Sequence, residues 1–248
     1  MRIIVSPAKK MNVDMDLDYN NLPRFISEAE TLLTYLKKQS YDKLKSIWKC
    51  SDKIATLNQQ RIQQMDLHKN LTPAILAYEG IQYKYMAPGV FQTKQLDYIE
   101  RHLRIMSAFY GILRPFDGVA PYRLEMQAKL KGEDLNSLYD YWNSKLADQL
   151  FSETNCIVNL ASKEYSKCIS TYLTDDVRFV TCVFGEMVGE KVKEKGVYAK
   201  MARGEMVRFM AENEIEDVEE MKKFNRLNFA FTEELSDEDK FVFVKGDK

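Results

Sequence analysis

The sequence predicts a single mixed α/β domain. Short apolar runs at 2–6, 74–78, 156–160 and 178–184 alternate with stretches whose apolar residues recur at helical spacing. No internal repeat, low-complexity tract or Pro/Ser-rich linker divides the chain. At 248 residues it is long enough to bury a full core.

The elements follow in order. Arg2–Ser6 reads as a buried strand ending at Pro7, and a loop rich in Asp and Asn runs on to Asn21. Pro23 suits the first turn of a helix carrying Phe25, Ile26, Ala29, Leu32, Leu33 and Leu36 at helical spacing. Two further helices are expected over 41–49 and 52–66, the second capped by Ser51. Ala74–Tyr78 reads as a strand before Gly80. Thr93 is placed to cap a helix over 94–108, with Arg101 and Arg104 adjacent on its polar side. A helix over 134–150, a strand over 156–160, a helical turn over 161–170 and a strand over 178–184 come next. Residues 192–198 read as a strand broken at Gly196, and 199–213 as a helix with Met201, Met206, Phe209 and Met210 on one side. Strands over 227–231 and 241–244, paired across the acidic turn 233–239, close the chain.

Composition narrows the class. Charged residues make up 29% and hydrophobic residues 45%, as in an ordinary globular protein. No apolar run reaches the roughly 20 residues a membrane span needs. The start is strand-like, with Lys9 soon after, and does not resemble a signal peptide, so a cytoplasmic protein is expected. Cys50, Cys156, Cys168 and Cys182 form no C-x-x-C pair, and His68 and His102 have no ligand partner nearby in sequence. No metal and no cofactor are therefore expected. Net charge is −1, unevenly spread: residues 211–248 hold 12 acidic and 6 basic side chains, which leaves residues 1–210 at +5. A basic body with an acidic C-terminal region from about 211 can offer a positive cleft, or both can be solvated surface.

Residues 109–126 are the most informative stretch. Gly111, Pro115, Gly118 and Pro121 interrupt the backbone too often for a long helix or strand, among many apolar side chains. A packed, rigid loop is expected, presenting Arg114, Arg123 and Glu125 from a fixed backbone. The same arginines in a buried loop would serve carbonyls alone. The helix before it, the turn at 109–113 and the segment after it match a helix-hairpin-helix in outline, with Gly111 alone of the usual glycine pair. Such a hairpin offers N–H groups to DNA phosphates; a simple helix–turn junction has the same outline.

Three further clusters carry charge. Lys9 closes Ser6-Pro7-Ala8-Lys9 after the first strand, where loops line clefts in α/β proteins, or is plain surface. Lys163-Glu164-Tyr165 follows a central strand and holds residue types suited to proton transfer, although neighbours on a helix diverge. Lys200, Arg203 and Arg208 lie within nine residues of one helix, a phosphate-binding surface or a solubilising one. No hydrolase, zincin, Walker or Rossmann motif is present.

Tyr110-Gly111-Ile112-Leu113-Arg114-Pro115-Phe116-Asp117 and Pro121-Tyr122-Arg123-Leu124-Glu125-Met126 resemble the central motif of the YaaA family of bacterial peroxide-stress proteins. Ser6–Lys9, Ser51-Asp52-Lys53, the run from Asn159 to Tyr165, and Ala202-Arg203-Gly204 leading to Arg208-Phe209 agree in order and spacing, so the resemblance spans residues 1 to about 231. It implies an unusual mixed α/β fold with a helix-hairpin-helix and a positive cleft. It also implies a part in resisting hydrogen peroxide by keeping unincorporated iron low, and DNA binding. Carried onto this chain, the expected cleft residues are Arg101, Arg104, Arg114, Arg123, Lys200, Arg203 and Arg208. The acidic stretch 211–220 departs from a plain DNA-binding picture.

Two functions follow. One is a non-enzymatic protein that grips duplex DNA through phosphates. The other is an enzyme acting on a nucleotide, a base or another phosphorylated ligand, with Lys9, Tyr122, Arg123, Glu125 and Lys163 in the cleft. A single cleft holding Lys9, Arg114, Arg123, Glu125, Lys163 and Arg203 is expected in either case. Oligomeric state is left open.

Overall fold

The computed structural model describes residues 1–13, 18–130 and 137–246. An eight-stranded mixed sheet organises it. Its strands are β1 (Arg2–Val5), β2 (Leu103–Ser107), β3 (Gly111–Leu113), β4 (Cys156–Leu160), β5 (Arg178–Val188), β6 (Lys191–Lys193), β7 (Phe229–Phe231) and β8 (Lys240–Lys245). The order is β7-β8-β5-β4-β1-β2-β3, with β6 paired to the far end of β5. Neighbours from β8 to β2 run parallel, while β7, β3 and β6 are antiparallel additions. The central strands read as continuous apolar runs because helices cover both faces of a parallel sheet. Ile3, Ile4, Val5, Ile157, Val158 and Leu160 are fully buried in the shared core.

The helices are α1 (Ile26–Lys37), α2 (Tyr41–Trp48), α3 (Asp52–Gln64), α4 (Ile81–Met86), α5 (Thr93–His102), α6 (Leu138–Trp142), α7 (Lys145–Glu153), α8 (Lys163–Ser170) and α9 (Gly196–Glu212). Helix α1 buries the expected stripe of Ala29, Leu32, Leu33 and Leu36. The first strand, the strands at 156–160 and 178–184, and the closing antiparallel pair also lie where the sequence places them.

Several expectations are corrected. The helix expected over 94–108 ends at His102, and Leu103–Ser107 is a strand buried at every position. An amphipathic helix would leave a wet face there; a central strand does not, and a short apolar run fits either shape until its neighbours are known. The helix-hairpin-helix outline at this point is therefore a β hairpin, with Ser107 opposite Gly111. Gly111 closes it at φ +77°, and an added Cβ would lie within 3.0 Å of Leu146, Phe25 and Trp142. Residues 74–77 form a helical turn, not a strand, because Ala74 N and Ile75 N donate to the carbonyls of Asp117 and Pro115. Gln92, not Thr93, caps α5, through a reciprocal pairing with Gln95. Ser51 sits at the start of α3 without a capping hydrogen bond from its side chain. The helix expected over 134–150 is two helices broken at Asn143 (φ 44°), and its first residues, 134–136, lie outside the described residues. Only Lys191–Lys193 of the stretch around 192–198 is extended, and α9 begins already at Gly196.

The acidic C-terminal region contributes β7 and β8 to the sheet, and several of its carboxylates are engaged in ion pairs. Glu212 meets Arg208 and Arg226, Glu219 meets Arg178 and Lys222, and Glu220 meets Lys223.

Candidate functional site

Connections from β1 lead toward β2 and β3, whereas those from β4 lead toward β5 and β8. The direction reverses between β1 and β4, and in open α/β sheets such a reversal leaves a crevice beyond the carboxyl ends of the two strands. A cavity of about 350 Å³ lies there. Ser6 leaves β1 and Ser162 leaves β4; Ser162 N donates to Ser6 Oγ at 2.8 Å and ties the two strand ends together. Asn159 turns the chain out of β4, its Oδ1 accepting from Ala161 N. Helix α4 closes one side, where Tyr83 OH donates to the Ser6 carbonyl and Gln82 Nε2 to the Leu160 carbonyl.

Opposite lies the extended stretch from Tyr122 to Glu125, the second half of the long motif. It is anchored from below. Ser107 Oγ accepts from Phe109 N and Tyr110 N, so its own proton points to Tyr122 OH at 2.7 Å, and the Tyr122 proton passes to Tyr78 OH at 2.9 Å. Burial pushes the Tyr122 phenol up to about 12. This hydroxyl is committed to the interior and holds the backbone of Arg123 in place.

The charged lining comes from four elements. Lys9 Nζ lies 2.7 Å from Glu125 Oε2, and Arg123 Nη2 lies 3.7 Å from Glu125 Oε1. Helix α9 adds exposed Lys200 and half-buried Arg203, whose Nη2 is 3.1 Å from Glu194. Glu164, in the first turn of α8, accepts from Gln127 N; burial pushes its carboxyl up, helped by the nearby Glu125 charge. Among the described residues, three buried side-chain nitrogens lack a hydrogen-bond partner: Trp48 Nε1, Arg123 Nε and Arg203 Nε. The two arginines line this one cavity. Leaving a buried donor unpaired costs about 1–3 kcal/mol.

Of the residues expected in the cleft, Lys9, Tyr122, Arg123, Glu125, Lys200 and Arg203 line it. The others lie elsewhere. Arg101 is paired with Glu216. Arg104 is buried against Glu153, since its segment is a strand and its side chain turns inward. Arg114 lies at the amino ends of the strands, because β3 runs back antiparallel from the hairpin. Arg208 is held by Glu212 one turn further along α9. Lys163 is exposed, and its neighbour Glu164 faces the cavity instead, as the divergence of adjacent helical residues requires. Sequence reasoning passed over Ser162, Gln82 and Tyr83. Ser162 was legible as standing two residues past a central strand, whereas nothing local marks Gln82 or Tyr83.

Fold and site together define an open α/β protein with a pocket at the switch point of its sheet, where Lys9, Arg123, Lys200 and Arg203 meet Glu125 and Glu164. Among the described residues no helix is long and apolar enough to cross a membrane, and no group of three or more His, Cys, Asp or Glu side chains is placed to hold a metal ion. Residues 1–235 match the family model described as peroxide stress protein YaaA. A "UPF0246 protein" of Lachnoclostridium phytofermentans is 59% identical over 248 residues, covering 100% of this chain and 97% of the relative. The Desulfitobacterium hafniense "UPF0246 protein DSY0297" is 57% identical over 247 residues, 99% of this chain and 98% of the relative. A "UPF0246 protein" of Pediococcus pentosaceus is 52% identical over 248 residues, 100% and 99%. The chain belongs to the peroxide stress protein YaaA family.

Proposed function

We propose that this protein limits peroxide damage in the cytoplasm by binding a small phosphorylated ligand of the nucleotide class in the pocket between β1 and β4. The observation that carries the reading is the pair of buried, unpartnered Nε–H groups of Arg123 and Arg203 in one cavity. Buried donors in native proteins almost always have an acceptor, and a ligand oxyanion seated against the two guanidiniums would supply one once a small side-chain shift uncovers these N–H groups. Arginine suits that role because its planar fork matches phosphate geometry. Lys200 adds charge at the mouth, and the amino end of α8, beside Ser162, favours an anion. Glu164, its carboxyl raised by burial, is the group suited to hold or pass a proton at the bound ligand.

Family-implied DNA contact enters this reading through the same pocket. Arg123 and Arg203 are only 12% and 14% exposed, too recessed to lie along the side of a duplex. A strand end or an extruded nucleotide reaches them. A lowering of unincorporated iron is then a consequence of the ligand's fate.

Calorimetric titration of mononucleotides, sugar phosphates, and single-stranded and duplex oligonucleotides tests the reading. A mononucleotide or sugar phosphate is expected to bind saturably. Arg123→Ala and Arg203→Ala should each weaken it at least about tenfold, roughly the loss of one charged hydrogen bond, with Arg208→Ala neutral. Tight, salt-dependent duplex binding that no mononucleotide competes would replace this reading with the duplex one.

A further inference from the structure

The first half of the long motif, Leu113-Arg114-Pro115-Phe116-Asp117-Gly118, takes no part in the pocket described above. It lies at the other end of the sheet, where a second cavity of about 170 Å³ opens among Arg24, Arg104, Arg114, Asp117, Gln149 and Glu153. We propose that this cavity is an oxyanion site, in which Arg24, Arg104 and Arg114 take a phosphate- or sulfate-like group.

The turn that presents Arg114 is unusually well fastened. Asp117 Oδ2 accepts from Arg114 N at 2.8 Å, and Asp117 N donates back to the Arg114 carbonyl. The carbonyls of Pro115, Phe116 and Asp117 accept from Ile75 N, Asn20 N and Ala74 N, and Gly118 N donates to the Asn21 carbonyl. Such anchoring would be idle for a solubilising surface arginine. The Arg114 side chain itself is exposed, and neither it nor exposed Arg24 makes an ion pair among the described residues.

The floor carries surplus positive charge. Glu153 Oε2 accepts from Arg2 Nε at 2.9 Å and from Arg104 Nε at 2.8 Å, and Glu153 Oε1 accepts from Gln149 Nε2. One carboxylate thus serves two guanidiniums, and among the described residues it is paired with neither Arg24 nor Arg114. Arg104 is buried; burial pushes its pKa down, Glu153 pulls it back up, and the charges of Arg2 and Arg114 lower it again to a smaller extent, so these guanidiniums repel one another across the cavity floor. The acidic group facing Arg114 is Asp117, flanked also by Glu100 and Arg104; burial raises its carboxyl to about 7. A bound oxyanion gives Arg24 and Arg114 a partner and relieves the repulsion on Arg104. Its source can be a free inorganic anion or the terminal phosphate of a larger molecule, since the cavity opens to the surface where exposed Arg24 and Arg114 stand.

The test is an NMR titration of the full chain carrying Arg203→Gln, which weakens the first pocket, while the amides of Arg123 and Ser162 report separately on any binding left there. Sulfate is the probe because it stays a dianion between about pH 6 and 8. The amide resonances of Arg114 and Asp117 are expected to shift saturably, at one affinity, and about tenfold more tightly at the lower pH, where Asp117 takes up a proton. Arg114→Gln, at an exposed position that leaves the turn's backbone bonds intact, should weaken sulfate at least about tenfold. Arg24→Gln gives a second reading should that variant fold poorly. Inorganic phosphate binding at least as tightly as a nucleoside 5′-monophosphate assigns a free anion, and a nucleoside 5′-monophosphate binding more tightly than inorganic phosphate assigns a phosphate terminus. Shifts that do not saturate, or equal affinity in both Arg→Gln variants, overturn the proposal.

Discussion

Asp117 shows how one residue couples the long motif to pH. Only 3% exposed, it anchors a turn with its carboxylate, and burial raises its pKa to about 7 against an unfolded value near 3.9. Between those values the folded chain holds a proton that the unfolded chain has released, so stability falls as pH rises through about 4 to 7. Asp117→Asn keeps an acceptor for Arg114 N and removes the titration. It is expected to gain about 1–3 kcal/mol at about pH 8 and little at about pH 4, read by urea unfolding. Equal differences at both pH values would mean that the carboxyl does not titrate in that range. The cysteines make a second case. Cys168 and Cys182 are buried, and burial pushes both thiols up to about 12, so they stay protonated at neutral pH. Peroxide reacts with thiolates, and neither residue suits a peroxide-reactive role. After peroxide treatment of the folded protein, a sulfenic-acid probe should leave Cys168 and Cys182 unlabelled and reach them only after unfolding. Labelling of either in the native state would show that local opening exposes it.

At the scale of elements, the tripeptide Ala202-Arg203-Gly204 has a packing reason. An added Cβ at Gly204 would lie 2.1 Å from the Gln82 carbonyl oxygen and 2.9 Å from Met86 N, so glycine lets α9 cross α4 in direct backbone contact. Those two helices carry Lys200 and Arg203 on one side of the pocket and Gln82 and Tyr83 on another. Gly204→Ala must push them apart. It should cost about 1–3 kcal/mol of stability, with ligand affinity falling in parallel. Thermal unfolding and the ligand titration check both; a fully stable variant with intact affinity would show that α4 yields without cost.

At the scale of the molecule, the C-terminal segment completes the sheet. Strand β8 sits between β5 and β7, parallel to the first and antiparallel to the second. Phe184 of β5 stacks on Phe243 of β8, with ring centroids 5.0 Å apart, and Phe224 and Phe229 pack edge-on against Phe184. The family match ends at residue 235, before β8 begins. Removing residues 236–248 would strip β5 of its partner on one side and β7 of its only one, and open this aromatic cluster, leaving an unpaired apolar edge among the described residues. The shortened chain is expected to lose cooperative unfolding and to aggregate, as size-exclusion chromatography and circular dichroism would report. A monomeric, cooperatively unfolding product would show that β7 can re-pair with β5.

The sequence by itself determined the mixed α/β class, most helices, the strands at 2–5, 156–160 and 178–184, and the family. Those features are written locally, in apolar periodicity and in motif order. It also marked Lys9, Arg123, Glu125 and Arg203, whose side chains the fold brings to one pocket. Tertiary structure alone decided that Leu103–Ser107 is a strand, since its register beside β1 buries both faces. That single change turned a helix-hairpin-helix outline into a β hairpin, drew Arg104 inward and carried Arg114 to the opposite end of the sheet. Charge and spacing along the chain do not record which end of a parallel strand a residue reaches; strand order does.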